Sequence, residues 1–118
     1  MKIAIIGLGL IGGSLGLSLK KRMWRRAEVI GYVRSSATGQ MALEMSAVDK
    51  FELRLDKVVE NASIVIISTP VLVIRDIFSQ IAPHLPAGCI VTDTASTKSR
   101  VMEWAQELLP PDTNFIGG

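Results

Sequence analysis

The sequence has one cysteine, one histidine and a formal net charge of only +2, and each shortage closes off a class of function. A lone cysteine, Cys89 in "GCIVTD", permits no disulfide framework within the chain. A buried, inert thiol in a reducing, cytoplasmic setting is the expectation. A lone histidine, His84 in "APHLPAG", leaves no cluster at metal-ligand spacing. Its place between prolines at a helix end points to a surface or capping role, not to acid–base work. The small net charge gives no argument for a nucleic-acid partner. The stretch "KKRMWRR", Lys20 to Arg26, reads as a solvated helix end whose cations complement the negative dipole terminus.

Long apolar runs are also missing. Ile3 to Leu19 comes nearest, with only Gly and Ser interrupting it. It is shorter than the ~20 residues of a spanning helix, and it runs into "KKRMWRR" without a small-residue cleavage site. Neither a membrane span nor an export signal is expected. No internal repeat, low-complexity tract or linker divides the 118 residues, a length suited to one domain with a core of its own.

What is present is alternation. Ile3–Ile6, Glu28–Val33, Ser63–Ser68 and Cys89–Asp93 are short runs rich in Ile and Val, which read as strands covered on both faces. Between them lie helical patterns. One runs from Leu10 to about Met23, and another follows the serines of "RSSATGQMALEMSAV". A third has Val73, Ile77 and Ile81 on one face and stops near Pro83 and Pro86. A fourth carries Val101, Ala105 and Leu108 and is closed by Pro110 and Pro111. A short edge strand near Phe51, a turn or two of helix over 55–60, and a last strand in "NFIG" complete the reading. Buried strands alternating with helices predict an α/β fold: a doubly wound, mostly parallel sheet of the Rossmann dinucleotide-binding type.

The first strand-to-helix junction reads "IAIIGLGLIGG". Gly7, Gly9 and Gly12 form G-x-G-x-x-G, a weak motif alone but an informative one between a strand and a helix. Gly7 allows the tight turn, Gly9 lets a pyrophosphate approach the backbone, and Gly12 lets the helix pack against the strand. Helix N–H groups then face the phosphates. An NAD site usually carries Asp or Glu at the end of the second strand to grip the ribose 2′-OH. Here that end reads "GYVRSS". Val33 stands at the acidic position, followed by Arg34, Ser35 and Ser36. A carboxylate would repel a 2′-phosphate, whereas an arginine and two hydroxyls would hold one. NADP is therefore the expected cofactor, with NAD possible if Arg34 stacks on the adenine or points to water. "STPV", Ser68 to Val71, and "DTASTKSR", Asp93 to Arg100, follow two further strands at the ends where open α/β sheets bind ligands. Helix capping by Thr69, and by Ser96 or Thr97, is the alternative use of their hydroxyls.

Together, "IGLGLIGGSL", "STPV", "VTDTASTK" and the terminal "FIGG" resemble the nucleotide-binding domain of prephenate and arogenate dehydrogenases, in order and over essentially the whole chain. These enzymes make tyrosine precursors by oxidative decarboxylation. The resemblance implies that Gly7, Gly9, Leu10, Ile11 and Gly12 contact the pyrophosphate. It implies that Val33, Arg34 and Ser35, with Ser36 beside them, surround the adenosine ribose, and that Thr69, Pro70 and Val71 line the nicotinamide side. Asp93, Ser96 and Lys98 match the family's D-x-x-S-x-K stretch, with Asp93 and Thr94 near the cofactor. Ser96 there helps orient the substrate hydroxyl and the catalytic histidine. That histidine follows "GG" in the family, and the sequence here stops at Gly118. A helical second domain, which completes the substrate cleft and much of a homodimer, is likewise expected but absent. The chain is thus expected to be a cofactor-binding half that scarcely turns over substrate alone. The rivals are another two-domain dehydrogenase, of the β-hydroxyacid or imine type, and a non-enzymatic nucleotide-sensing domain.

Overall fold

The computed structural model describes residues 1–7, 27–94 and 98–116, with backbone only for 98–100. The expected helix over Leu10–Met23 lies outside the described residues. Six strands are described: β1 (Lys2–Ile6), β2 (Glu28–Tyr32), β3 (Lys50–Glu52), β4 (Ile64–Ile67), β5 (Ile90–Asp93) and β6 (Asn114–Ile116). They form one sheet in the order β3-β2-β1-β4-β5-β6, and every pairing is parallel. The described helices are α1 (Ser36–Glu44), α2 (Leu55–Val58), α3 (Val71–Ile81) and α4 (Lys98–Leu108), with a 3₁₀ turn at Ala82–His84.

The sequence reason for the parallel sheet is visible in β1. Ile3, Ala4, Ile5 and Ile6 are all at most 1% exposed, so both faces of the strand need cover, which crossover helices supply. Alternate residues serve different layers. Ala4, Ile6, Ile30, Val65, Ile67 and Val91 join one core cluster with residues of α2, α3 and α4. Ile3, Ile5, Val29 and Ile66 join the other, with Ala42 of α1 and Ala47 and Val48 just after it. Each fully buried Ile contributes roughly 1.5–3 kcal/mol.

The helices follow their sequence signals with small shifts. Ser35 is the N-cap of α1, its Oγ accepting from the N–H of Thr38 at 3.3 Å. In α3 the buried residues are Ile74, Ile77, Phe78 and Ile81. Val73, expected on the core face, is half-buried at its margin. Ile77 and Ile81 of the expected face are buried, and Ile74 and Phe78 join them to complete the i, i+3, i+4 set 74-77-78-81. Phe78 meets Phe115 of β6 edge-on, centroids 5.7 Å apart, tying α3 to the edge of the sheet. Val101 and Ala105 of α4 are buried, Leu108 is half-buried, and Leu109 is buried just past the helix end. Trp104 packs against the same core. The β3 edge strand is held by Gly39 of α1, where a Cβ would lie 2.5 Å from the Phe51 ring. At the opposite, amino end of the sheet, Lys2 Nζ donates to the carbonyls of Glu60 at 2.6 Å and Lys57 at 3.3 Å. His84 is exposed on the 3₁₀ turn that leads back toward the start of β5. No described helix is long and apolar enough to cross a membrane.

The strand order decides where a ligand can lie. From β1 the chain adds β2 and β3 on one side, then returns to place β4, β5 and β6 on the other. The loops at the carboxyl ends of β1 and β4 therefore diverge, and the crevice between them is the switch point where such sheets bind ligands.

Candidate functional site

Gly7 ends β1 at that crevice. Its φ of +97° lies in the region open to glycine, and a Cβ here would sit 2.6 Å from the Ser68 carbonyl oxygen and 2.8 Å from Thr69 Cγ2. The first glycine is therefore required twice, by its backbone angle and by the approach of the β4 loop. Gly9, Leu10, Ile11 and Gly12, the rest of the expected phosphate loop, lie outside the described residues, as does Ser96.

The β4 loop is tied on both sides. The Ser68 N–H donates to the Ile6 carbonyl at 2.8 Å, and the Thr94 N–H donates to the Ile67 carbonyl at 3.1 Å. The Thr94 hydroxyl donates to Ser68 Oγ at 3.2 Å. Each hydroxyl carries one proton, so this geometry leaves the Ser68 proton available to another acceptor. The Thr69 side-chain oxygen is buried and has no hydrogen-bond partner among the described residues. It does not cap α3: the N-cap is Pro70, and no side-chain cap bond forms. Buried hydroxyls are nearly always paired, so an orphan in a ligand crevice fits a group that a bound molecule would satisfy. Pro70 is exposed and Val71 half-buried, so the loop presents both to the same rim. Ser68, which sequence reasoning quoted but did not count among the site residues, is the hub of this junction. Its only sequence signal was its position directly after a buried strand.

At the end of β2 the strand stops at Tyr32, one residue before the expected end. Val33 still donates its N–H to the Glu52 carbonyl at 3.0 Å, which extends the ladder. Val33 is buried, whereas Arg34, Ser35 and Ser36 are exposed. Arg34 forms no ion pair among the described residues. The Ser35 hydroxyl accepts from the α1 backbone as a cap and lies 3.0 Å from Thr38 Oγ1. The corner thus offers a guanidinium unpaired among the described residues, two exposed serines and the start of α1, with no carboxylate at the Val33 position.

Asp93 closes β5 at 1% exposure, the single buried charged residue among those described, and it is partnered. Cys89 lies at the other end of that segment. Burial pushes its thiol pKa up from the ordinary 9.0, and Sγ faces the Ile90 carbonyl at 3.7 Å, as befits an inert thiol. No group of three potential metal ligands occurs among the described residues. Two shallow grooves lie away from the crevice. One, of about 260 Å³, includes Met102, Leu109, Pro110 and Phe115. The other, of about 250 Å³, includes Leu72, Arg75 and Leu108. Neither contains an expected cofactor residue, and the crevice is the better candidate because strand topology, an orphan hydroxyl and an unpaired arginine converge there.

Comparison with known proteins gives the same direction. The family model "Prephenate dehydrogenase, nucleotide-binding domain" matches residues 15–118. A curated prephenate dehydrogenase of Lactococcus lactis subsp. cremoris (strain MG1363) is 37% identical over 119 residues, covering 99% of this chain and 33% of that protein. The chain therefore spans about a third of that relative's length. The crystal structure of Synechocystis arogenate dehydrogenase superposes with a TM-score of 0.87 at 37% identity, over 99% of this chain and 40% of that one. Prephenate dehydrogenase from A. aeolicus, solved in complex with hydroxyphenyl propionate and NAD+, shares the fold with a TM-score of 0.85 at 23% identity, over 99% of this chain and 40% of that one.

Proposed function

The chain belongs to the prephenate dehydrogenase nucleotide-binding domain family, and from that premise we propose that it is the cofactor-binding half of a prephenate or arogenate dehydrogenase that prefers NADP to NAD. Residues 1–118 form the dinucleotide domain, and a helical domain beyond it completes the substrate cleft and a homodimer in the cytoplasm. The observation that carries the reading is the junction at Gly7, where a positive φ and the contact with Ser68 and Thr69 leave no room for a side chain.

In this reading the backbone at Gly7, Gly9, Leu10, Ile11 and Gly12 binds the pyrophosphate. Arg34, Ser35 and Ser36 bind the 2′-phosphate, with Val33 as the apolar floor beside the ribose. Thr69 donates its orphan hydroxyl to the nicotinamide half, with Pro70 and Val71 excluding water from that side. Asp93 and Thr94 brace the loop after β5, and Ser96 orients the substrate hydroxyl. When bound, the nicotinamide supplies the hydride acceptor. The chain's own contribution is to hold the reacting groups in one geometry and keep water out.

Calorimetric titration tests the cofactor preference. Arg34→Ala should weaken NADP at least tenfold, about 1.4 kcal/mol, and change NAD by less than twofold. Equal losses for both nucleotides would remove the case for 2′-phosphate recognition. The dehydrogenase assignment is checked by reading the gene past Gly118: a His-Pro pair and a helical domain are expected, and a different continuation would contradict it.

A further inference from the structure

We propose that Arg54, at the carboxyl end of β3, is a second guanidinium of the 2′-phosphate site, acting beside Arg34 and held ready by Asp56; the inference rests on the NADP reading above. The register of the edge strand β3 on its neighbour β2 carries it. Ile30, Gly31 and Tyr32 of β2 stand opposite Lys50, Phe51 and Glu52 of β3, and the Val33 N–H reaches the Glu52 carbonyl one step further on. Arg54 keeps an extended backbone (φ −123°, ψ 131°) as the N-cap of α2. Arg34 and Arg54 each lie two residues beyond the ladder's last pair, Tyr32 with Glu52, on neighbouring strands that run ~4.8 Å apart at that pair.

The geometry of Arg54 is that of a presented fork. Its Nε donates to Asp56 Oδ1 at 3.1 Å and its Nη2 to Asp56 Oδ2 at 2.9 Å. This side-on pairing uses two of the five N–H donors and leaves the Nη1–Nη2 edge unspent. As a stabilising contact the pair counts for little: the two side chains are 69% and 28% exposed, and such surface pairs contribute ~0–1 kcal/mol. What it does is fix the plane of the guanidinium in advance, which lowers the ordering cost of gripping a phosphate bidentately. The two carboxylates at this corner, Asp56 and Glu52, weaken its field. Arg54 is therefore the lesser of the two cations, since Arg34 has no ion pair among the described residues.

The test is a calorimetric series on the 118-residue chain with NADP, NAD and adenosine 2′,5′-bisphosphate. Arg54→Ala should weaken NADP and the bisphosphate about tenfold and leave NAD within twofold. Arg54→Lys should not restore them, because an ammonium lacks the fork. The exposed position of Arg54 predicts an unchanged Tm in each variant, and retained NAD binding reports the fold independently. Arg54→Ala acting on both nucleotides alike, or on neither, while Arg34→Ala still selects against NADP, overturns this inference and leaves the reading it rests on intact. A wild-type chain that binds NAD as tightly as NADP overturns both.

Discussion

At the scale of single residues, three positions carry testable chemistry. Gly7→Ala forces a Cβ to within 2.6 Å of the Ser68 carbonyl at a φ of +97°. Strain and overpacking together should cost roughly 2–5 kcal/mol, read as a lowered denaturation midpoint, and nucleotide binding should be lost. Thr69→Val goes the other way. It removes a buried hydroxyl that has no partner among the described residues and keeps the shape, so the free chain should gain about 1 kcal/mol while binding NADP more weakly. A variant that loses stability instead would show that the hydroxyl is paired within the fold. Cys89 gives the pH dependence. Burial raises the folded thiol pKa above its ordinary 9.0, so the unfolded chain releases the proton first. The stabilisation is complete below the unfolded pKa and is lost as pH rises through the folded one. Tm should therefore fall more steeply above pH 9 in the natural chain than in Cys89→Ala; parallel curves would contradict this.

At the scale of elements, the sequence was most legible where burial is simplest. Ile3–Ile6 and Ser63–Ser68 read as strands because unbroken Ile and Val runs suit a strand buried on both faces, and β1 and β4 lie within them. Ser35 was legible as a cap because the serines directly precede a helical pattern. In α3 Ile77 and Ile81 were legible as core residues, whereas Ile74 and Phe78 were not placed on the face, and Phe78 meets Phe115 of the edge strand β6. Contacts between distant elements were not legible. The Thr94–Ser68 bond and the Gly7–Ser68 approach depend on β4 lying between β1 and β5. Arg54 follows the β3 end at the level of the β2 end only because a three-residue edge strand sets that register. Gly39 shows the same limit: nothing local marks it, yet the Phe51 ring fills the place of a side chain. Gly39→Ala should destabilise by about 1–3 kcal/mol, measured by urea unfolding, with the loss offset in part by a smaller residue at Phe51.

At the scale of the whole molecule, function follows from where the chain reverses its direction of growth. Strand–helix alternation predicts a doubly wound sheet, but the order β3-β2-β1-β4-β5-β6 is what brings Gly7, Ser68, Thr69 and Thr94 to one crevice and sets Arg34 at its flank. The proposed function requires a dinucleotide lying across those carboxyl ends. Amide hydrogen exchange of the chain with and without NADPH tests this most directly. Protection is predicted at Gly7, Arg34–Ser36, Ser68–Thr69, Val71 and Thr94, with none added at Gln106, Leu109 or Phe115. Unchanged exchange at the crevice under saturating nucleotide, or protection confined to the groove beside α4 and β6, would contradict it.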